Sequence, residues 1–135
     1  MFYEFEIKTN KKEELIDITD KVLEIIKSCS LNEGILHIFI PHATAGIILN
    51  ESADPNIKID FLNALDKAFP TFANYLHNKI DNNASGHIKS AIVGSSLTIP
   101  IHNGKIFLGT WQSIMFCEFD GPRSKRKIIL QIISD

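Results

Sequence analysis

Residues 41–60, PHATAGIILNESADPNIKID, narrow most sharply what this chain can fold into. Ile35–Ile40, just before, is a dense β-branched and aromatic run that reads as a central strand, and Pro41 ends it because proline cannot donate to a strand ladder. Asp54 followed by Pro55 is an N-cap and a first-turn proline, so a helix is predicted from there to about Phe69, where Pro70 stops it. Between strand and helix lie His42, Thr44, Asn50 and Glu51, with Asp60 a turn further on. Polar side chains crowded where the backbone changes direction are the usual material of a binding site.

The predicted apolar stripe of that helix is Ile57, Phe61, Ala64, Leu65 and Ala68, and Asp60 falls on or beside it. A buried charge is costly unless paired, so Asp60 either meets a cation or donor or lies on the wet edge of a rotated stripe. The sequence leaves both readings open.

Elsewhere, alternation predicts strands over residues 2–9 and 14–18, joined as a hairpin by the turn at 10–12. Thr19 or Asp20 is read as the cap of a helix with Val22, Leu23, Ile25 and Ile26 on its apolar face, closed by the stop at 32–34. Gly46–Leu49 reads as a short returning strand. Residues 71–86 offer few apolar anchors and read as a helix remnant and an exposed loop. A short helix is predicted over 85–94, between Ser85 as cap and Gly94 as left-handed stop. The last third is strand: Asn103-Gly104 signals a hairpin between 96–101 and 105–108, and runs at 112–119 and 125–133 flank a turn at 120–122. In the first of those runs Trp111, Met115, Cys117 and Phe119 share one face, while Gln112, Ile114, Phe116 and Glu118 share the other. Gln112 and Glu118, about 20 Å apart along an extended strand, cannot serve one small site within a single subunit.

At 135 residues and 44% hydrophobic, the chain fits one globular domain with a single core. Fourteen basic against sixteen acidic residues give a net charge of −2, which offers no general pull toward nucleic acid. Cys29 and Cys117 fit neither a metal spacing nor a disulfide framework, and the first residues do not form a basic-then-apolar leader, so a cytoplasmic location is expected. No apolar run is long enough to span a bilayer.

The five histidines, His37, His42, His77, His87 and His102, form no close metal-binding pair, so an ion site has to be assembled from separate segments. His42 is the best single candidate for a ligand or proton-transfer group, the alternative being a loop histidine hydrogen-bonded to backbone. His87 and Lys89, after Asp81 and Asn82, suit an anion with or without a divalent ion, the alternative being a capped surface helix. His37 reads as structural, and His102 as simply exposed. Trp111 and Gln112 follow Gly109 in a polar island that allows close approach of a ligand or another chain, or is a bulge beside a core tryptophan. Arg123, Lys125, Arg126 and Lys127 either clamp phosphate or decorate a solvated turn. No Walker, dinucleotide or CxxC motif is present, and Ser95 and Ser96 lack a nucleophile elbow.

The order of these islands resembles that of the YjbQ family of small proteins, described as having secondary thiamine-phosphate synthase activity. The matching pieces are PHATAGIILNESADP at 41–55, Asp60 after it, HIKSAIVGSSLTIP at 87–100 and NGKIFLGTWQSIMFCEFDGPRSKRK at 103–127. Ala43 departs from the hydroxylated residue that many relatives carry there. The resemblance implies a compact α+β domain with mixed or antiparallel sheets and two or three helices, assembling as a homotrimer with polar pockets near the subunit contacts. It also implies a small phosphorylated heterocyclic substrate: an aminopyrimidine diphosphate joined to a thiazole phosphate with release of diphosphate. For such a reaction the expected catalytic residues are His42, His87, Glu51 and Asp60, with Thr44, Asn50, Lys89, Trp111, Gln112 and Arg123 binding substrate. A divalent metal ion, Mg²⁺ or Zn²⁺, is expected on His42, His87 and Asp81.

Overall fold

A computed structural model of the chain describes residues 1–134. Eight strands and three helices run in the order β1 (Phe2–Ile7), β2 (Glu14–Asp17), α1 (Thr19–Ser28), β3 (Gly34–Phe39), β4 (Ala45–Asn50), α2 (Pro55–Ala68), α3 (Ala84–Val93), β5 (Ser96–His102), β6 (Lys105–Ile106), β7 (Ser113–Glu118) and β8 (Arg126–Ser134), with a 3-10 turn at Leu76–Lys79. The strands form a five-stranded sheet, β1-β8-β3-β5-β6, and a three-stranded sheet, β2-β7-β4. Every pairing is antiparallel.

The inner faces of the two sheets share one core. Leu36 and Ile38 of β3, Ile99 and Ile101 of β5, Ile128, Leu130 and Ile132 of β8 meet Ile47 of β4 and Ile114 and Phe116 of β7, and α1 adds Val22 and Ile26. The opposite face of β7, Met115 and Cys117 followed by Phe119, packs with Leu15 against Phe61, Leu62 and Leu65 of α2 and Val93 of α3. The alternation read from the sequence therefore holds from Ile114 to Phe119, with both faces buried, whereas Trp111 and Gln112 precede the strand and lie on neither face. Burial pushes the Cys117 thiol well above its ordinary range, so this cysteine is inert packing.

Several local expectations stand. Asp54 Oδ1 accepts from the Asn56 N–H at 2.9 Å, Pro55 opens α2 and Phe69 closes it. Asn103 and Gly104 have φ of 51° and 74°, as a two-residue hairpin turn between antiparallel strands requires.

Others change. Residues 2–7 and 14–17 are strands but no hairpin: β1 pairs with β8 and β2 with β7, in different sheets. Alternation reports a half-buried strand without naming its partner, and the 8–13 loop instead lies along the 120–123 turn through Thr9 N–H to Arg123 O and Gly121 N–H to Lys12 O, both 2.9 Å. Helix α1 is preceded by Asp17, whose Oδ1 accepts from Thr19 N–H, while Thr19 Oγ1 accepts from Ile114 N–H of β7. On α2 the packed side is Phe61, Leu62 and Leu65; Ala64, Ala68 and Asp60 are exposed, which resolves Asp60 to the wet edge. Helix α3 begins at Ala84, and Ser85 is no cap: its hydroxyl donates to Phe69 O at 2.8 Å. No helix among the described residues is long and apolar enough to cross a membrane.

Candidate functional site

Glu118 is a carboxylate at the end of an apolar strand, on the face that Ile114 and Phe116 turn to the core. Fully buried, it meets Arg126, the first residue of β8, in a two-point pair: Nε to Oε2 at 2.8 Å and Nη2 to Oε1 at 2.5 Å. Thr9 Oγ1 donates to Glu118 Oε2 at 2.9 Å and accepts from Arg123 N–H at 2.8 Å. Asp120 N–H donates to Glu118 Oε1, and the second edge of the guanidinium reaches Thr44 Oγ1 at 2.9 Å. A buried ion pair is tolerable only when its remaining lone pairs and protons are occupied, and these partners occupy them. The cluster ties β8 to β7, to the start of β4 and to the loop after β1.

His42 sits on this platform. In the β3–β8 register Phe39 opposes Ile129, so the residue opposite Lys127 would be Pro41, where β3 has already ended. His42 Nε2 takes up the freed bond and accepts from Lys127 N–H at 2.8 Å. A backbone amide only donates, so Nε2 carries no proton and the neutral ring holds its proton on Nδ1. Burial first, then the charges of Arg126, Arg123 and Lys127, hold the pKa below the ordinary 6.5, outweighing Glu118. The open function of this imidazole is therefore that of a neutral Nδ1–H donor, neither base nor cation. Because protonation of Nε2 would break the bond to Lys127, the native state takes up that proton later than the unfolded chain does. The stability contributed is complete above about pH 6.5 and is lost as the pH falls from there through the lowered native value. An NMR titration should find His42 below 6.5 and the Lys127 amide exchanging faster as the ring protonates; a value at or above 6.5 contradicts this geometry.

Asp120 links the platform to the start of α3. It is paired with Lys12, accepts from Asn83 Nδ2 at 2.8 Å, and pairs with Arg123 Nη2 at 3.0 Å, while Arg123 Nε donates to its carbonyl. Burial opposes ionisation of this carboxyl, yet the bonds from Lys12 and Asn83, with the charge of Arg123, bring its pKa below the usual range. Gly86 makes the junction possible: a Cβ there would stand 2.7 Å from Phe119 O, so only glycine lets α3 lie so close to the end of β7. Gly86→Ala is expected to displace α3 and lower the melting temperature by several degrees, about 1–3 kcal/mol of overpacking, measured by thermal unfolding. Beside this junction the rings of His77 and His87 meet edge to face with centroids 4.8 Å apart, and His77 Nε2 lies 3.8 Å from Asp81 Oδ2.

The structure redistributes the residues predicted for one site. His42, Thr44 and Arg123 gather at the platform. Lys89, expected to face phosphate, is instead completely buried, with Nζ 2.8 Å from Glu13 and 3.0 Å from Asp66, and its charge is spent inside the protein. Trp111 is 68% exposed and forms no ring-binding wall within the chain, and Gln112 Oε1 turns back to accept from Gly109 N–H at 2.8 Å. Asn50 Oδ1 accepts from the neighbouring Glu51 N–H, Glu51 is half-buried, and Asp60 is exposed on α2. The ion expected on His42, His87 and Asp81 loses its first ligand, because Nε2 of His42 is already used; His87 and Asp81 both lie beside His77 instead. Among the described residues no three His, Cys, Asp or Glu side chains are already arranged around an ion.

The basic run 123–127 is split: Arg126 points into the core, Arg123 pairs with Asp120, and Lys127 Nζ lies 3.6 Å from Glu4. His37 is structural, bonded through Nδ1 to Thr98 Oγ1, and His102 is bonded to Glu33. Thr9, Glu118, Asp120 and His77 escaped selection from the sequence, and Arg126 was read only as part of a basic run, not as the core's counter-ion. The available signal was Glu118, a charge in an otherwise apolar strand, which demands a buried partner.

Comparison with known proteins agrees with this arrangement of segments. The family model described as UPF0047 protein YjbQ-like matches residues 3–135. The chain is 47% identical over 135 residues to UPF0047 protein MJ1081 of Methanocaldococcus jannaschii, covering 100% of this chain and 96% of that one. It is 42% identical over 125 residues to UPF0047 protein YugU of Bacillus subtilis, covering 93% and 94%. Among solved structures, a YbjQ-like protein of unknown function from Sulfolobus solfataricus superposes with a TM-score of 0.97 at 35% identity, covering 100% and 97%. A YjbQ/UPF0047 protein from Clostridium acetobutylicum gives 0.92 at 45% identity, covering 97% and 99%. Sequence and fold thus agree, and the chain belongs to the YjbQ (UPF0047) family.

Proposed function

We propose that the chain is an enzyme acting on a phosphorylated heterocycle at the face where His42, Arg123 and Lys127 meet. The reaction proposed is of the thiamine-phosphate synthase type. The bond between the pyrimidine methylene and its diphosphate breaks, the methylene carbon joins the thiazole nitrogen, and diphosphate leaves with the bonding electrons. The difficulty lies in the charge that grows on the leaving oxygens, so catalysis consists of donors and cations aimed at them. The observation that supports this most directly is the locked neutral His42, whose Nδ1–H remains to donate, with Arg126, Arg123 and Lys127 outweighing Glu118 in their effect on the ring. A cationic histidine would already hold its proton on the Lys127 side; the neutral one needs no rearrangement to donate.

Purified protein supplied with both precursors and Mg²⁺ should form thiamine phosphate. The rate should fall by about 10²-fold or more in His42→Ala and clearly in Arg123→Ala. Activity unchanged by both substitutions removes the reading. The second reading is a metal- or anion-binding protein without turnover, for which the paired histidines beside α3 speak; it predicts saturable diphosphate binding with no product.

We also propose that the chain works as a homotrimer. Phe72, Leu76 and Ile80 are 90%, 80% and 79% exposed along one short segment, and Trp111 is exposed as well, an apolar surface of the kind that subunit contacts cover. Sedimentation equilibrium of the full chain should give three times the 15.2 kDa subunit mass; a monomer at micromolar concentration refutes it.

A further inference from the structure

We infer that His77 and His87, with Asp81, form a divalent-cation site of the tetrahedral, zinc-like class beside the N-terminal turn of α3. Three observations meet there. First, the two imidazoles come from different elements, His77 from the 3-10 turn and His87 from α3, yet stand edge to face with centroids 4.8 Å apart. An imidazole nitrogen binds Zn²⁺ at about 2.0–2.1 Å, which places two rings on one tetrahedral ion with centroids roughly 5 Å apart. Second, His77 Nε2 is 3.8 Å from Asp81 Oδ2, too far for a hydrogen bond. A nitrogen and an oxygen sharing a tetrahedral ion lie roughly 3.3–3.7 Å apart, so a small rotation of the exposed Asp81 side chain closes the set.

Third, two buried side-chain atoms in the described residues have no hydrogen-bond partner, His77 Nε2 and Asn83 Oδ1, and both belong to this stretch. Buried polar atoms are nearly always satisfied, and an orphan of this kind calls for an explanation. Asn83 Oδ1 only accepts, a neutral His77 offers a lone pair, and Asp81 adds a carboxylate. What is missing at each is an electron-pair acceptor, and at His77, with His87 and Asp81 beside it, a cation fills that place. Binding takes the neutral imidazoles and leaves a further position for water. This assignment stands apart from the reaction proposed above, because it concerns metal affinity and not turnover. It also differs from the ion expected on His42, whose ring nitrogen is committed to Lys127.

The test is a titration of the purified full chain with Co²⁺, read by its visible absorption, near neutral pH. The expected result is saturation at one ion per chain with the intense bands of tetrahedral cobalt. Affinity should fall by about 10–100-fold or more in His77→Ala and in His87→Ala and remain unchanged in His42→Ala and His102→Ala. Thermal melts check that each variant is folded. His77→Gln and the exposed substitution Asp81→Asn serve as gentler variants and are expected to weaken binding too. Absence of saturable uptake, or the same affinity in wild type, His77→Gln, His87→Ala and Asp81→Asn, overturns the inference.

Discussion

Arg126→Ala is expected to be the most damaging single substitution in this domain, lowering stability by about 3–5 kcal/mol and the melting temperature by roughly 10–20 °C. Glu118 is 0% exposed and Arg126 5%, so removing the guanidinium strands a carboxylate in the core with only Thr9 Oγ1 and the Asp120 N–H to hold it. The cost lies mainly in the charge left behind. Replacing both partners by methionine should therefore recover a substantial part of the loss, although Asp120 N–H and Thr44 remain without their partners. Chemical denaturation of the two single variants and the double variant measures this. A loss below about 1 kcal/mol in Arg126→Ala would mean that water reaches the pair and that the platform is not closed. The same substitution removes the largest of the charges acting on His42, so the imidazole pKa should move upward in whatever fraction remains folded.

The second large effect is expected at Lys89, where the choice of replacement decides the outcome. Its ammonium is fully buried, but its partners are not: the Glu13 and Asp66 side chains are 21% and 49% exposed. When Lys89 is lost these carboxylates turn to solvent, and what remains is the volume of the side chain. Lys89→Ala should therefore cost about 2–4 kcal/mol as a cavity substitution, whereas Lys89→Met, of similar length, should cost less than about 1.5 kcal/mol. Acid unfolding separates charge from volume. The hydrogen bond from Lys89, helped by those from Thr71, holds the Asp66 pKa below the usual range against a smaller burial effect. A lowered native pKa stabilises the fold above the unfolded value near 3.9 and ceases to do so as the pH falls through the native value. Wild type should then lose stability more steeply than Lys89→Met below about pH 4. Parallel acid limbs would show that the Lys89–Asp66 pair contributes nothing of its own.

Features that depend on a few adjacent residues were legible in the sequence. Asp54-Pro55 opened α2 and Asn103-Gly104 turned a hairpin because each local geometry is decided by the residues that adopt it. The two-faced pattern of β7 was legible as well, since strand alternation survives in any sheet. What escaped was partnership across long separations. Lys89 lies 76 residues from Glu13 and 23 from Asp66, and no periodicity reveals that a helix lysine ends between them. The pairing of β1 with β8 was hidden for the same reason, because a short loop between two strands favours a hairpin until long-range packing overrules it. His42 does lie at a change of direction, and its ring is hydrogen-bonded to backbone, which is the alternative the sequence left open. Its chemistry depended on which ring nitrogen met Lys127, a backbone 85 positions away.

β8 joins the core ion pair to the His42 bond. Consecutive residues of it, Arg126 and Lys127, are read by different parts of the molecule: one as the core's counter-ion, the next as the donor that fixes the His42 tautomer. A slip of one position along the neighbouring strands would exchange these duties, placing a guanidinium outside and a shorter ammonium within. β8 follows the other described strands in sequence, so the bond that fixes His42 forms only when that strand is in place. The His42 tautomer is thereby made contingent on a correctly aligned sheet.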